Sequence, residues 1–158
     1  MATKRPGETY RGQALHVPLS LDGQVAAYVW PLRILTIRGK GCGGPTIGVD
    51  VGNEEVLRFD CHEAMGHWHG GGYDRLAAPG NSQRPFPEGV QSVAAQITWS
   101  LQQLQQRIKE LLEEAQHGAA AQILDASLIQ TALHAIRAHL EKEGDLRAKA
   151  IKENLIAT

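Results

Sequence analysis

The chain has 158 residues, of which 42% are hydrophobic and 21% charged, and its formal net charge is -1. These values fit one globular domain, and the near-neutral charge disfavours broad nucleic-acid binding by counterion release. The apolar runs are shorter than the roughly 18 residues of a membrane helix, and the polar N-terminus lacks the apolar core of a signal peptide. We therefore expect a cytoplasmic protein that does not span a membrane.

The domain boundaries follow from changes in composition along the chain. Residues 1–13 are predicted to form a flexible N-terminal arm, and residues 14–158 a single domain. Within that domain, residues 14–74 are predicted to be sheet, 75–87 loop and 88–158 helical.

Period-two alternation of apolar residues predicts the strands. Residues 15–21 and 25–30 alternate on either side of Asp22-Gly23, a dipeptide that favours a tight hairpin turn. Further extended segments are predicted at 32–37, 46–51 and 56–60. The pattern predicts an antiparallel β-meander of four or five strands.

Residues 39–45 are rich in glycine but do not have the spacing of a phosphate-binding Walker loop. Because both flanks are strand-like, we predict a mobile hairpin connection there. Cys42 and Cys61 form no C-x-x-C pair, so reduced thiols are expected and neither a redox motif nor a zinc knuckle is indicated. Cys61 lies among histidines and stays a possible metal ligand, but no cofactor is predicted.

A helical period replaces the alternation after residue 88. Apolar residues between Val90 and Ala115 step by four and three, and the opposite face is rich in glutamine and charge. This predicts a long amphipathic helix. A second helix is predicted around residues 128–140, with a capping box that starts at Ser127, and a short third helix within 145–157. Strands followed by helices indicate an α+β fold, with the C-terminal helices free to pack on another subunit or a protein partner.

Residues 58–74 concentrate groups that can carry chemistry. His62, His67 and His69 are three of the seven histidines in the chain. Side chains alternate along a strand, so Arg58 and Asp60 share one face, as do His67 and His69. Burying such a face without partners is costly, so it is predicted to border a cleft or solvent.

Three interpretations of this segment remain open. In the first, His67 and His69 transfer protons while Arg58 holds an anion beside Asp60, which would suit cleavage of RNA without a metal. Residues flanking the long loop would bind the substrate in that case, and the candidates are Tyr73, Arg75 and Arg84.

The second interpretation is a metal site, and the third is structural. His62, His67 and His69, or the His-x-His pair with Asp60 or Asp74, could bind a divalent transition metal such as zinc. In the structural interpretation the histidines hold loop carbonyl groups, and Arg58 pairs with Asp60. The sequence therefore leaves open whether the protein is an enzyme.

The segments Arg58-Phe59-Asp60 and Gly66-His67-Trp68-His69 together resemble a known signature. It is the Arg-aromatic-Asp … His-x-His pattern of small TumE-like proteins, the toxin partners of bacterial nucleotidyltransferase-type antitoxins. The resemblance implies an RNA-directed toxin fold in which Arg58, Asp60, His67 and His69 are the matching positions. The helices after residue 118 have no counterpart in such toxins, so the alternative is a non-catalytic accessory subunit that associates through those helices.

Overall fold

The computed structural model of the protein describes residues 7–72 and 82–158. Seven strands lie within these residues, all before the first α-helix. They are β1 (Thr9–Arg11), β2 (Leu15–Pro18), β3 (Val25–Ile37), β4 (Lys40–Val51), β5 (Glu54–Asp60), β6 (His67–His69) and β7 (Gln83–Arg84). A short 3-10 turn at Glu63–Met65 links β5 to β6.

Four helices follow the sheet: α1 (Val93–Glu114), α2 (Gly118–Gln122), α3 (Ala126–Glu143) and α4 (Leu146–Lys152). Side chains cap three of them at the N-terminus: Ser92 accepts from the backbone N–H of Ala95, Asp125 from that of Leu128 and Asp145 from that of Ala148. The cap of α3 is thus Asp125 and not the predicted Ser127. In the described part of the chain, no helix is both long enough and apolar enough to cross a membrane.

All strand pairs are antiparallel, in the order β1-β3-β4-β5-β6-β7. Strand β2 also pairs with β3, along the half of β3 that β1 leaves unpaired. The register of β3 on β4 shifts between Trp30 and Arg33, around Pro31, which has no N–H to donate. The predicted α+β fold, an antiparallel sheet followed by a long helix and further helices, is confirmed.

Two predicted boundaries differ from the structure. Thr9–Arg11, assigned to the flexible arm, pairs with β3 because the Glu8 carboxylate accepts hydrogen bonds from the Arg33 guanidinium and fixes this segment on the sheet. Gln83–Arg84, assigned to the loop at 75–87, pairs with β6. The sheet therefore has more strands than the four or five predicted.

The prediction of a mobile connection at residues 39–45 was wrong. The turn is only Arg38 and Gly39, both with positive φ, the conformation that suits a two-residue hairpin. The next glycines lie inside β4 because other backbone approaches closely. A Cβ at Gly43 would lie 2.2 Å from the Arg33 carbonyl oxygen, and one at Gly44 would lie 2.1 Å from that of Cys61.

The two faces of the sheet have different characters. Inward-facing residues of β3, β4 and β5 form one apolar core with α1 and α3, and burial of each large side chain contributes about 1.5–3 kcal/mol. The apolar stripe of α1 packs into this core, where Leu101, Leu104, Ile108, Leu111 and Leu112 are all buried. The opposite face carries the polar residues of the predicted site.

A second, smaller core lies at the other end of the long β3–β4 hairpin. Leu32 and Ile34 of β3 pack there with Ala150 of α4 and with Ile156. The backbone N–H of Ala157 donates to the Gly41 carbonyl oxygen, which fixes the C-terminal segment against β4.

We expect Gly48→Ala to lower the free energy of unfolding by about 2 kcal/mol, a cost typical of overpacking. A Cβ at Gly48 would lie 2.3 Å from the ring of Tyr28, which is fully buried and donates its hydroxyl proton to Glu55. Urea unfolding measures the change. Gly118→Ala is the matched control because nothing lies within 4 Å of a Cβ there. Equal stability of the two variants would contradict this account of β4.

Candidate functional site

Strand register brings the predicted site residues together. In the pairing of β5 with β6, Arg58 lies opposite His69, and Asp60 lies opposite His67. Side chains of directly opposed residues point to the same face of a sheet. The prediction that these four side chains share one face is therefore confirmed, although the prediction gave no register.

The turn between the two strands is held by a buried glutamine of α1. Glu63 has a φ of 62°, an uncommon conformation for a residue other than glycine. Its N–H donates to Gln96 Oε1 at 2.9 Å, and its carbonyl accepts from Gln96 Nε2 at 2.8 Å. Gly66 completes the contact, because a Cβ there would lie 2.4 Å from Gln96 Nε2. The helix thus sets where β6 begins.

The carboxylate of Asp60 is the centre of the polar face. Its Oδ1 accepts from Arg33 Nη1 at 2.8 Å and from Thr46 Oγ1 at 3.0 Å. Its Oδ2 accepts from Arg58 Nε at 3.1 Å and lies 3.2 Å from His67 Nε2. Burial acts to raise the pKa of Asp60, but the hydrogen bond from His67 and the charge of Arg58 outweigh it and hold the pKa well below its usual value.

The hydrogen bonds of the two strand histidines define their ring protons. An arginine only donates, so His69 Nε2 accepts from Arg58 Nη2 at 3.2 Å, and the His69 proton lies on Nδ1, 2.8 Å from Ser82 Oγ. A carbonyl only accepts, so His67 Nδ1 carries a proton and donates to Met65 O at 3.0 Å. The Nε2 atoms of both rings therefore face the Asp60 carboxylate.

His62 lies on the other side of the same carboxylate. Its Nε2 is 3.9 Å from Asp60 Oδ1 and 3.4 Å from Thr46 Oγ1. Burial lowers the pKa of His62 to about 4, against the attraction of Asp60, so the ring is neutral at pH 7. Among the described residues, His62 does not share a possible metal site with His67 and His69, so the alternative ligand set of these three histidines does not form.

The cluster that does form has one carboxylate and two imidazoles. Single ligand atoms of Asp60, His67 and His69 lie within 4.8 Å of one another. His69 Nε2 is 3.7 Å from Asp60 Oδ2, and the rings of His67 and His69 meet edge to face with centroids 4.9 Å apart. Two nitrogen ligands and one oxygen ligand suit a transition metal ion such as zinc.

The prediction that this face borders a cleft or solvent was wrong for most of it. Arg58 is 5% exposed, His69 4% and Asp60 fully buried, while the side chain of His67 retains 18% exposure. Burial is tolerated because the charges compensate one another. The contacts expected from the structural interpretation are present, namely Arg58 with Asp60 and His67 with a loop carbonyl.

The candidate substrate-binding residues do not join the cluster. Tyr73 and Arg75 lie outside the described residues. Arg84 pairs with Glu114 at 3.1 Å and lies 4.9 Å from the ring centroid of Trp68, on the core side of β6 and away from the Asp60 cluster. Two clefts of about 550 and 630 Å3 flank the N-terminus of α1, and neither is lined by Asp60, His67 or His69.

Sequence reasoning missed four participants: Arg33, Thr46, Glu55 and Gln96. Arg33 could have been predicted from the sequence, because a single arginine between Leu32 and Ile34 on a buried strand needs an acidic partner. Gln96 could not, since it lies in a helix that contains several other glutamines. Its role follows from burial and from its bonds to Glu63.

Stability below pH 6.5 tests the burial of His62. The folded pKa is about 4 and the ordinary value 6.5, so between these values the unfolded chain binds a proton that the folded chain does not. The free energy of unfolding should therefore fall as pH drops from 6.5 to 4, by on the order of 3 kcal/mol. Urea unfolding at stepped pH, in buffer with a chelator, measures this.

The matched variants for this titration are His62→Gln and His134→Gln. His62→Gln should reduce the pH dependence most in the upper part of that window, because the lowered pKa values of Glu8 and Asp60 add their own slope at its acid end. Replacing the exposed His134 on α3 should leave the pH dependence unchanged. The same slope in His62→Gln as in the parent protein would contradict the assignment.

Comparison with known families places this site inside a recognised domain. A family model described as a domain of unknown function (DUF7700) matches residues 32–140, a span from β3 to the last turns of α3 that includes Asp60 and all three histidines around it. No curated protein and no solved structure gives a significant match. Because the matched span covers well over half of the chain, the protein belongs to the DUF7700 family.

Proposed function

We propose that the protein binds a divalent transition metal ion, with zinc as the first candidate, through Asp60 Oδ2, His67 Nε2 and His69 Nε2. One observation carries the proposal: both Nε2 atoms face the same carboxylate oxygen, at 3.2 and 3.7 Å. A tetrahedral ion with ligand bonds near 2.0–2.1 Å needs ligand atoms separated by about that much.

The hydrogen bonds behind the ligand atoms support the same proposal. Histidines that bind metals usually donate the other ring N–H to a carbonyl, carboxylate or water, which fixes the tautomer. Here His67 Nδ1 donates to Met65 O, and His69 Nδ1 lies 2.8 Å from Ser82 Oγ. These contacts orient both rings. In the metal-free protein His67 Nε2 also donates to Asp60, so an ion would replace that proton on binding.

Three protein ligands leave a coordination position for water or a small molecule. A metal ion at this place would supply a Lewis acid and an activated water. Of the three proposed ligands, His67 has the most exposed side chain, at 18%.

Metal titration of the chelator-treated, tag-free protein tests the proposal. We expect zinc to bind with one equivalent per chain, and Co2+ to give a visible absorption band from nitrogen and oxygen ligands. Asp60→Asn, His67→Ala and His69→Ala should each lower the affinity by about 100-fold or more, since each removes a direct ligand. Isothermal titration and the Co2+ spectrum measure both effects.

The control is His134→Ala, which removes an exposed histidine on α3 and should bind as the parent protein does. Failure of the parent protein to bind zinc or Co2+ at about 100 µM would reject the proposal. Equal affinity in the three ligand variants would reject it as well.

A second candidate is the RNA- or phosphate-directed activity suggested by the TumE-like resemblance. What supports it is the convergence of one guanidinium and two imidazoles: Arg58 Nη2 lies 3.2 Å from His69 Nε2, and the two histidine rings are in contact. Purified protein incubated with RNA in chelating buffer should cleave it, and His67→Ala and His69→Ala should not. Equal cleavage by all three proteins would exclude the role.

Three further expectations stay predictions. The toxin-like ancestry is supported only by the signature at residues 58–69, and cytoplasmic residence stays an expectation. Association through the C-terminal helices is supported by two exposed apolar side chains, Ile123 before α3 and Leu155 after α4. The apolar stripe of α1 does not support association because the core of the same chain covers it.

A further inference from the structure

We propose that Arg58 competes with the metal ion for its ligands, and that Glu55 receives the Arg58 guanidinium when the ion binds. The inference rests on the proposed metal function and concerns how the occupancy of that site is controlled. Arg58 should lower the metal affinity and Glu55 should raise it, although neither residue is a ligand.

Arg58 already contacts the atoms that would bind the ion. Its Nε donates to Asp60 Oδ2 at 3.1 Å, and its Nη2 donates to His69 Nε2 at 3.2 Å. These two acceptors are two of the three proposed ligand atoms. A guanidinium has donors only, so its bond to His69 Nε2 uses the single ring lone pair that a cation needs. A carboxylate oxygen has a second lone pair, so Arg58 and the ion exclude each other at His69 Nε2.

The electrostatics point in the same direction. Arg33 and Arg58 both contact the Asp60 carboxylate, so its negative charge is already shared between two cations. A divalent ion beside Asp60 and an undisplaced guanidinium would repel each other strongly in a buried place. Metal binding thus requires Arg58 to withdraw.

Glu55 provides the place to which Arg58 withdraws. Glu55 Oε2 lies 3.9 Å from Arg58 Nη1, about one ångström beyond hydrogen-bond distance. Glu55 is buried, and its other oxygen accepts from the hydroxyl of Tyr28, which fixes the carboxylate. A small shift of Arg58 toward Glu55 would keep the buried guanidinium paired, so releasing the ligands leaves no uncompensated charge.

The test compares zinc affinities of three variants with that of the parent protein. Arg58→Met removes the competing donors at similar volume and should raise the affinity about tenfold or more. Glu55→Gln removes the charge that attracts the withdrawn guanidinium and should lower the affinity about fivefold or more. If the substitutions only disrupted the packing of the polar face, zinc affinity would fall in both Arg58→Met and Glu55→Gln, so opposite changes identify the competition. Arg84→Met, an arginine outside the cluster, should change it less than about twofold.

Far-UV circular dichroism checks folding, and Arg58→Gln replaces Arg58→Met if the latter does not fold. Equal or weaker zinc binding by a folded Arg58 variant would overturn the competition and leave the metal function standing. Unchanged affinity in Glu55→Gln would overturn the role of Glu55. Absence of zinc binding by the parent protein and by every variant would instead overturn the metal function itself.

Discussion

The buried carboxylate of Asp60 is the constraint on which the polar half of this protein depends. A fully buried charge is tolerated only where partners compensate it, and Asp60 has Arg33, Arg58 and Thr46 within hydrogen-bond distance. Each arginine then needs a second partner, which Glu8 gives to Arg33 and Glu55 to Arg58. One acidic residue thus accounts for a network that extends from β1 to β6.

The apolar face of the sheet offsets the energetic cost of burying this charged network. Strands β3, β4 and β5 bury one face under α1 and α3, so the sheet is held by its core while its other face carries charge. Glycines of β4 then let side chains and backbone approach the polar face closely, as at Gly48 beneath the ring of Tyr28. Gln96 links the two halves, because it projects from the core helix and holds the turn that positions His67.

Structural bracing and the proposed metal binding are compatible uses of the same residues. Hydrogen bonds on the Nδ1 side orient both imidazoles, and they leave the Nε2 side directed at Asp60. Arg58 Nη2 donates to His69 Nε2, which keeps the buried cluster paired. In the proposed metal site, the balance between guanidinium and cation would decide occupancy, so residues that are not ligands would control it.

The sequence by itself determined that strands precede helices, that the strands pair antiparallel, and that Arg58 and Asp60 share one face of their strand as His67 and His69 do of theirs. These follow from local periodicity and from side-chain alternation within a strand. Tertiary structure decided that the shared face is buried, that Arg33 and Gln96 belong to the site, and that Arg84 does not. It also placed residues 40–45 in a strand. Such features depend on register, on close backbone approach and on residues far apart in the chain, and a local pattern contains none of these.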